Sequence, residues 1–319
     1  MQPDVSFVIA AYNAEATLAR AIQSALDQSN VTVEVVVVDD CSTDSSLAIV
    51  HSFPSERMHI VALEKNRGPG GARNTGLSVA RGRWIAVLDS DDTLRPDRLA
   101  RMILRAEQAG AQIAVDNLDV VQETIGPGMT MFAPALLERF PELTLADFIG
   151  SNLVFEDSFN FGYMKPIFAR RFLEENALRY DEMLRIGEDY IFLASALAKG
   201  GRCVVEPQPG YCYHIRAGSI SRVLELHHVE AMLAADAAFV RDHKLDAAAR
   251  FAQARRTRSL EEAAAFLALV QHLKDRDLLK AAGAALREPL ALRHLRMPIA
   301  IRLRRFVRTF GARPLDQSA

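Results

Sequence analysis

The first 116 residues alternate between short apolar runs, rich in β-branched side chains, and amphipathic segments with helical periodicity. Such runs predict buried strands, and apolar positions spaced by three and four residues predict helices. Strands are predicted at residues 5–11, 31–38, 59–63, 84–88 and 112–116. Helices are predicted at residues 14–27, 45–53, 70–81 and 95–109. This alternation predicts an α/β fold with a mostly parallel sheet and helices on both faces.

The remainder of the 319-residue chain follows a different pattern. Residues 126–128, Gly-Pro-Gly, predict a loop, and residues 204–213 predict a closing strand or hairpin with prolines at its edge. Further helices are predicted at 168–176 and 190–198, and residues 132–148 are predicted to be irregular or helical. Residues 228–285 are rich in Ala, Leu and charge and predict helices alone. We therefore expect a domain at 1–225, with halves 1–116 and 117–225, and a helical appendage at 226–319.

Charge and cysteine content exclude several classes of protein. The net charge of −2 provides no global basic field for nucleic acid. The three cysteines are scattered, which argues against a disulfide framework or a zinc site. The N-terminus lacks a basic segment typical of signal peptides, and no apolar run approaches about 18 residues. A cytoplasmic location is therefore expected.

An acidic tetrad, Asp89-Ser90-Asp91-Asp92, follows the fourth predicted strand. Three adjacent carboxylates repel one another unless a cation or a donor lies among them, and carboxylate oxygens suit hard divalent ions. A divalent ion held here could bind a diphosphate, which predicts a nucleotide-linked substrate. In the alternative reading, Asp92 or Thr93 caps the next helix, although three carboxylates exceed what a cap requires.

Polar side chains also follow the first two predicted strands. Tyr12 and Asn13 come after the first strand, and Asp39 and Asp40 after the second. The carboxyl ends of parallel strands form the ligand-binding edge of such sheets. Tyr12 could stack on a nucleobase for about 1–3 kcal/mol, and Asp40 could accept the imide N–H of uracil or thymine. Alternatively, Asn13 and the two aspartates are turn and capping residues.

Five motifs occur in an order that resembles family 2 glycosyltransferases. They are VSFVIAAYN (5–13), VVDDCSTD (37–44), GARNTG (71–76), LDSDD (88–92) and GED (187–189). The resemblance covers roughly residues 5–222. It extends to glucosyltransferases that build bacterial exopolysaccharides of the succinoglycan type. It implies the A-type glycosyltransferase fold, a Rossmann-like sheet, with a nucleotide-binding half at 1–116 and an acceptor-binding half at 117–225.

The resemblance also implies a reaction and a set of site residues. The expected reaction is inverting transfer of a hexose from a nucleoside diphosphate sugar, with UDP-glucose the favoured donor, assisted by Mg²⁺ or Mn²⁺. Asp91 or Asp92 would ligate the metal and a neighbour such as Asp89 would hold the ribose, with the three roles unassigned. The nucleotide-binding residues implied are Ala10, Tyr12, Asp40, Arg73, Asp89, Asp91, His214 and Arg216.

Asp189 is the candidate general base, because inversion needs a carboxylate on the face of the anomeric carbon opposite the leaving group. Glu188 could share this role. Alternatively, the two acids are an N-cap pair for the helix that follows. Arg73 could face the diphosphate or pair with the acidic tetrad, and Lys165 could face the acceptor sugar. The glycines at 68, 70 and 71 would allow the backbone to approach a ligand.

The expected acceptor is a lipid-linked oligosaccharide at the inner membrane face. Residues 287–313 interleave arginines with apolar side chains, which suits an anionic membrane surface or, alternatively, a solvated terminal helix. A nicotinamide dehydrogenase is rejected because the first strand–helix turn has no Gly-x-Gly-x-x-Gly motif. A nucleotidyltransferase and a non-catalytic sugar-binding module remain as alternatives, and the oligomeric state is open.

Overall fold

The computed structural model of the protein describes residues 2–53, 55–122, 126–155, 160–215 and 224–295. The strands are β1 Val5–Ala11, β2 Val33–Asp39, β3 Met58–Ala62, β4 Trp84–Val87, β5 Thr93–Leu94, β6 Ile113–Gln122, β7 Gly126–Thr130, β8 Ile167–Ala169 and β9 Cys203–Ile215. The helices are α1 Leu18–Leu26, α2 Ser46–His51, α3 Gly68–Val79, α4 Arg98–Ala109, α5 Pro134–Leu137, α6 Leu145–Ser151, α7 Arg170–Glu175, α8 Glu188–Ala198, α9 Leu226–Asp242, α10 Ala247–Lys274 and α11 Leu278–Arg287. Short 3₁₀ turns lie at Ser55–Arg57, Phe161–Tyr163 and Pro289–Leu295.

The nine strands of the described residues form one mixed sheet. Its order is β3-β2-β1-β4-β8-β6-β9-β5, with β7 paired to β6. Strands β1 to β4 are parallel to their neighbours within that group, and β6 is parallel to β9. Strand β8 is antiparallel to both β4 and β6, so it joins the two parallel groups. The mostly parallel sheet predicted from the alternation is confirmed.

Strand β2 shows why the sheet carries helices on both faces. Alternate side chains of a strand point to opposite faces. Val36 and Val38 pack with Ala72 of α3, whereas Val35 and Val37 belong to the larger core that contains residues of α1. All seven residues of β2 are buried. The continuous β-branched run therefore reflects burial on two faces, as expected for a parallel strand.

Several elements differ from the predictions. Residues 126–128 were predicted to be a loop, which is wrong, because Gly126–Thr130 pairs with β6 as the edge strand β7. An edge strand tolerates proline, since its outer N–H groups need no partner. The helix predicted at 168–176 begins too early, because Phe168 and Ala169 belong to strand β8 and only Arg170–Glu175 of that segment is helical. Strand β6 continues six residues beyond the predicted end at 116, to Gln122.

Strand β9 is a single long strand with an irregularity at its prolines. Its pairing with β6 shifts register on both sides of Asn117, opposite the Pro207–Pro209 segment. The amide of Asn117 donates to the carbonyls of Phe132 and Pro207, at 2.8 and 3.0 Å. These side-chain hydrogen bonds supply donors where the prolines cannot. Beyond this bulge, β9 carries Tyr211 and His214 toward the edge where β4 ends.

The C-terminal helical region predicted from the Ala- and Leu-rich composition is confirmed in α9 to α11. Helix α10 packs on α6, and α9 packs on α8 and α10. Within the described ranges, no helix is long and apolar enough to cross a membrane. The division at residue 225 stays a prediction. Most of the basic segment, from 296 onward, lies outside the described residues.

Candidate active site

The carboxyl ends of β1 and β2 are joined by a lattice of side-chain hydrogen bonds. The Asn13 carboxamide oxygen accepts from the Thr43 N–H at 2.9 Å, and the Asn13 N–H donates to the Ser42 hydroxyl at 3.0 Å. Asn13 has φ 49°, a left-handed conformation that asparagine tolerates. Asn13 therefore has the turn role that the alternative reading assigned to it. Tyr12 beside it is 51% exposed, so its ring is available to a ligand.

The two aspartates after β2 have different surroundings. The Asp40 carboxylate accepts from the backbone N–H groups of Arg67 and Gly68, at 2.6 and 2.8 Å, at the start of α3. Burial nonetheless raises the pKa of Asp40 above its ordinary value. Asp39 accepts from the Ser42 N–H at 3.1 Å through Oδ2, whereas its buried Oδ1 accepts no hydrogen bond from the described residues. The sequence singled out Asp40, but Asp39 holds the open acceptor.

The glycines in the first turn of α3 pack closely against other segments of the protein. A Cβ at Gly70 would lie 2.7 Å from the Asp181 carbonyl oxygen, and one at Gly68 would overlap the Arg185 guanidinium. Gly68 also has φ 76°. The expectation that these glycines admit a ligand is therefore replaced by close contact between α3 and the 181–185 segment. Asn74 reinforces that contact, since its side chain bonds the Tyr180 backbone N–H and carbonyl.

Asp89 and Asp189 share the same two cations. The Lys165 ammonium lies 2.7 Å from Asp89 Oδ2 and 2.8 Å from Asp189 Oδ2. The Arg73 guanidinium lies 2.8 Å from Asp89 Oδ1 and 2.9 Å from Asp189 Oδ1. Arg73 also pairs with Glu188 at 2.6 Å. The motif after β4 and the motif at α8, about 100 residues apart, thus meet in one cluster, which we call the charge cluster.

The charges of this cluster shift the pKa values of its members. Burial opposes the charge of Lys165, but the carboxylates of Asp189 and Asp89 outweigh it and raise the lysine pKa. Burial likewise opposes ionisation of Asp89, but Lys165 and Arg73 hold its pKa well below the ordinary value. For Glu188, burial and the neighbouring Asp189 raise the pKa. Three acids facing two bases leave an excess of negative charge that an added cation would offset.

The segment that carries Lys165 is itself anchored. Arg98 of α4 is fully buried, pairs with Asp116 of β6 at 2.8 Å and donates to the Lys165 carbonyl at 2.6 Å. A buried planar guanidinium suits such multiple donation. The only structural signal next to Lys165 in the sequence is the proline at 166, so nothing local predicts this anchor. Lys165 was expected to face the acceptor sugar, and the structure brings it between the two aspartates.

Asp92 lies deeper than the rest of the tetrad. Its Oδ1 accepts from the His214 backbone N–H at 2.8 Å, and its buried Oδ2 accepts no hydrogen bond within the described part of the chain. Burial, followed by the Asp89 and Asp91 carboxylates, raises the pKa of Asp92 to about 8. The next helix begins at Arg98 with Asp97 as its N-cap residue, so neither Asp92 nor Thr93 caps it.

The tetrad does not converge as three metal ligands. Among the described residues, no group of three or more His, Cys, Asp or Glu side chains could hold a metal ion. Asp89 faces cations, and the Asp91 carbonyl accepts from Arg20 at 2.7 Å. A Mg²⁺ or Mn²⁺ ion needs only one or two carboxylates when diphosphate oxygens and water complete its shell. The orphaned Oδ2 of Asp92 and the adjacent Asp91 carboxylate fit that smaller requirement.

Helix α8 begins at Glu188, after Gly187 in a left-handed conformation with φ 91°. Glu188 and Asp189 therefore lie in the first turn, and neither is the N-cap residue predicted by the alternative reading. The His214 ring contacts the Thr93 hydroxyl at 2.9 Å through Nε2. Arg216 lies outside the described residues. Ala10 is a half-buried residue of β1, aligned with Val38.

A family model decides the class of this protein. The model for glycosyl transferase family 2 matches residues 6–172, which is more than half of the chain. The chain belongs to glycosyl transferase family 2. It is therefore a glycosyltransferase, and the resemblance drawn from the five motifs is confirmed.

Two curated relatives from Rhizobium meliloti (strain 1021) extend this similarity over nearly the whole chain. Succinoglycan biosynthesis protein ExoO is 62% identical over 317 residues, which cover 99% of this chain and 90% of the relative. Succinoglycan biosynthesis protein ExoU is 33% identical over 298 residues, with 91% and 84% coverage. The expected similarity to proteins of exopolysaccharide biosynthesis is thus confirmed.

Solved structures confirm the A-type glycosyltransferase fold. S. aureus TarS 1-349 in complex with UDP-GlcNAc has a TM-score of 0.63 and 20% identity, and the match covers 90% of this chain and 92% of the TarS 1-349 chain. The mannosyltransferase PcManGT from Pyrobaculum calidifontis, in complex with GDP-Man and Mn²⁺, has a TM-score of 0.60 and 18% identity, with 97% and 83% coverage. At these identities the likeness concerns the fold alone.

Proposed function

We propose that this glycosyltransferase moves a hexose, with inversion, from UDP-glucose to a sugar hydroxyl of a lipid-linked oligosaccharide in exopolysaccharide biosynthesis. The observation that carries the proposal is the charge cluster, in which the donor motif at Asp89 and the base motif at Asp189 contact one ammonium. A leaving diphosphate and an incoming hydroxyl must flank the same anomeric carbon. Two carboxylates held this close can serve these two sides of one reaction.

The nucleotide would lie at the ends of β1 and β2. Tyr12 offers an exposed ring for stacking, and the Asp39 Oδ1 is a buried acceptor that can receive the N–H of uracil. Asp40, the residue singled out in the sequence, would support this pocket by fixing the start of α3. Ala10 would line it. The complex of TarS with UDP-GlcNAc supports a uridine nucleotide on this fold.

A Mg²⁺ or Mn²⁺ ion would be held by Asp91 and Asp92, and the Mn²⁺ in the PcManGT complex supports a divalent ion. When bound, such an ion neutralises the negative charge of the leaving diphosphate. His214 and Arg216 are proposed to face the diphosphate from the end of β9. His214 already bonds Asp92 through its backbone, which would couple that strand to the metal ligand.

Asp189 is the proposed general base, which would accept the proton of the acceptor hydroxyl. Each of its carboxylate oxygens is paired with one cation, Arg73 or Lys165. A carboxylate has about four lone-pair sites, so these contacts leave positions for a hydroxyl proton. An incoming diphosphate would compete for both cations and so would leave Asp189 more able to accept the proton. Glu188 would hold Arg73 in place.

The acceptor and pathway rest on similarity and on the C-terminal sequence. The two R. meliloti relatives act in succinoglycan biosynthesis by name. The arginine-rich segment 287–313 would bring the enzyme to an anionic membrane, where a lipid-linked acceptor resides. We therefore propose a peripheral location on the inner face of the cytoplasmic membrane.

Transfer of label tests this function. Incubating the protein with radiolabelled UDP-glucose, Mn²⁺ and a bacterial lipid-linked oligosaccharide extract should move label into the lipid phase. Asp189→Asn should lower the rate on the order of 10²–10⁴-fold while UDP affinity changes little, because a base acts in the transition state. The surface variant Asp242→Asn is the matched control. Near-normal transfer by Asp189→Asn would exclude it as the base.

A further inference from the structure

A buried ion pair links the C-terminal helices to the helix that carries Asp189. Arg256 of α10 pairs with Asp236 of α9 at 2.9 Å, and both side chains are almost fully buried. The Arg256 guanidinium also donates to the Asn152 carbonyl at 2.6 Å, just after α6. Gln253 adds a second donor to Asp236 at 2.9 Å. One guanidinium therefore ties three helices together.

The same guanidinium lies directly against the first turn of α8. Its central carbon is 3.5 Å from the centroid of the Tyr190 ring, a close cation–π contact away from water. Phe148 of α6 stacks on Tyr190 as well, with ring centroids 5.3 Å apart. Tyr190 immediately follows Glu188 and Asp189. Its ring is held by Arg256 and Phe148, and these contacts restrain the first turn of α8 through packing.

Helix α9 contacts the start of the same turn, where its Met232 side chain lies against Gly187. A Cβ built at Gly187 would lie 3.2 Å from the terminal methyl of Met232. The left-handed φ of 91° at this glycine begins α8 at Glu188. The two contacts, at Gly187 and at Tyr190, thus flank the two acids in sequence. Neither contact involves the donor half of the sheet.

We propose that Arg256 is a positioning residue that fixes the first turn of α8 and, through it, the Asp189 carboxylate. The fixed fork of arginine suits this role, since one planar group meets a carboxylate, a carbonyl and a ring face at once. The catalytic consequence rests on the proposed function, in which Asp189 is the base. The structural consequence, restraint of the α8 turn, does not.

The test uses a charge-neutral double variant of the full chain, Arg256→Met with Asp236→Asn, because Arg256→Met alone would leave a buried unpaired carboxylate. The first readout is hydrogen exchange at amides 191–194, the first hydrogen-bonded turn of α8. The second is UDP release from UDP-glucose with Mn²⁺ and the bacterial lipid-linked oligosaccharide extract as acceptor, resolved into kcat and KM, with UDP affinity from calorimetry. Circular dichroism establishes that each variant is folded.

The matched control is Arg258→Met, on the same helix. Arg258 pairs with Glu262 and Glu288, at 3.2 and 2.9 Å. We expect the double variant to exchange faster at 191–194 and to lose kcat on the order of 10- to 100-fold, with KM and UDP affinity within about threefold. The control should leave exchange in α8 unchanged.

Three results would count against the proposal. Unchanged exchange at 191–194 in a folded double variant would overturn the restraint of α8 by Arg256. Faster exchange with unchanged kcat would overturn its link to Asp189. A rise in KM with unchanged kcat would assign the pair to donor binding instead. If the wild-type protein releases no UDP, the proposed function fails, and the exchange comparison still decides whether Arg256 holds the turn.

Discussion

Lys165 joins two parts of the candidate active site, because its one ammonium contacts an aspartate from each. Its side chain is 12% exposed, and its ammonium contacts one aspartate from each motif. Because its folded pKa is raised, the stabilisation it provides is fully present below its unfolded value, near 10.5, and is lost only as pH rises through the folded value. The pKa of Asp89 is lowered instead of raised, so the stabilisation that Asp89 provides is lost only as pH falls through its folded pKa. At neutral pH both contributions are complete.

Lys165→Met should therefore destabilise the protein in a pH-dependent way. Removing one partner leaves the acids with Arg73 alone, which we expect to cost about 3–5 kcal/mol near pH 7. The loss of stability should shrink toward about pH 4, because the acids of the variant, which no longer face Lys165, can then bind protons. Urea unfolding at the two pH values measures this. Lys280→Met, which breaks an exposed pair with Asp277, should cost about 1 kcal/mol or less. An equal loss for Lys165→Met at both pH values would contradict this account.

The residue types at the strand ends were predictable, but their pairings were not. The sequence identified the acidic tetrad, Asp189 and Arg73, because each lies in a short motif. It left open whether Arg73 faces the diphosphate or the tetrad, and the structure pairs it with Asp89. Lys165 and its anchor Arg98 come from distant segments with no local signal. Contacts between residues 76 positions apart, such as Asp89 with Lys165, depend on topology rather than on spacing.

At the scale of elements, helix α3 depends on glycine for its fit. Its N-terminal turn lies against the backbone at Asp181, while Gly76 lies against Val8 of β1. Both contacts leave no room for a Cβ. The structure thus gives a packing reason for the glycines of α3, which hold this helix against the segment preceding α8 and against β1.

Gly70→Ala should destabilise the protein, because the new Cβ would lie 2.7 Å from a backbone oxygen. We expect a cost of about 1–3 kcal/mol, as for other overpacked sites. The matched helical control is Gly150→Ala, whose Cβ would lie 3.8 Å from Ala252 Cβ and should be neutral or stabilising. Thermal unfolding of both variants measures the difference. A Gly70→Ala protein as stable as the control would refute the close packing of α3.

Long apolar strands were predicted more reliably than short ones. The first four strands agree within about two residues, because buried β-branched runs are distinctive. Strand β8 has three residues, which is too short to show a period, and β7 begins with a Gly-Pro-Gly sequence that is typical of turns. Both were therefore assigned to other structures. Tertiary pairing with β6 decides both strands.

At the scale of the whole molecule, the C-terminal helices lie between the helix that carries Asp189 and the arginine-rich end of the sequence. Their packing on α6 and α8 connects them to the candidate active site through Arg256 and Met232. Their sequence continues into the arginine-rich segment 287–313. The composition predicted helices here, but it gave no sign of the buried Asp236–Arg256 pair, since charged residues in an Ala-rich helix are usually exposed.

Deleting residues 287–319 should release the protein from vesicles that contain anionic lipid. Each arginine near such a surface contributes about 1 kcal/mol at low salt. Cosedimentation with phosphatidylglycerol vesicles measures the loss, and phosphatidylcholine vesicles are the control. Undiminished binding after the deletion would place the membrane contact elsewhere or exclude it.

Calorimetric titration with a panel of nucleoside diphosphate sugars, in Mn²⁺ and in chelator, tests the central claim most directly. The account predicts that UDP-glucose binds in Mn²⁺, that chelator weakens this binding, and that Asp39→Asn or Asp91→Ala reduces it. If the folded protein binds no member of the panel, or binds one equally well in chelator, then the strand-end carboxylates do not form a metal-assisted donor site and the proposed mechanism is wrong.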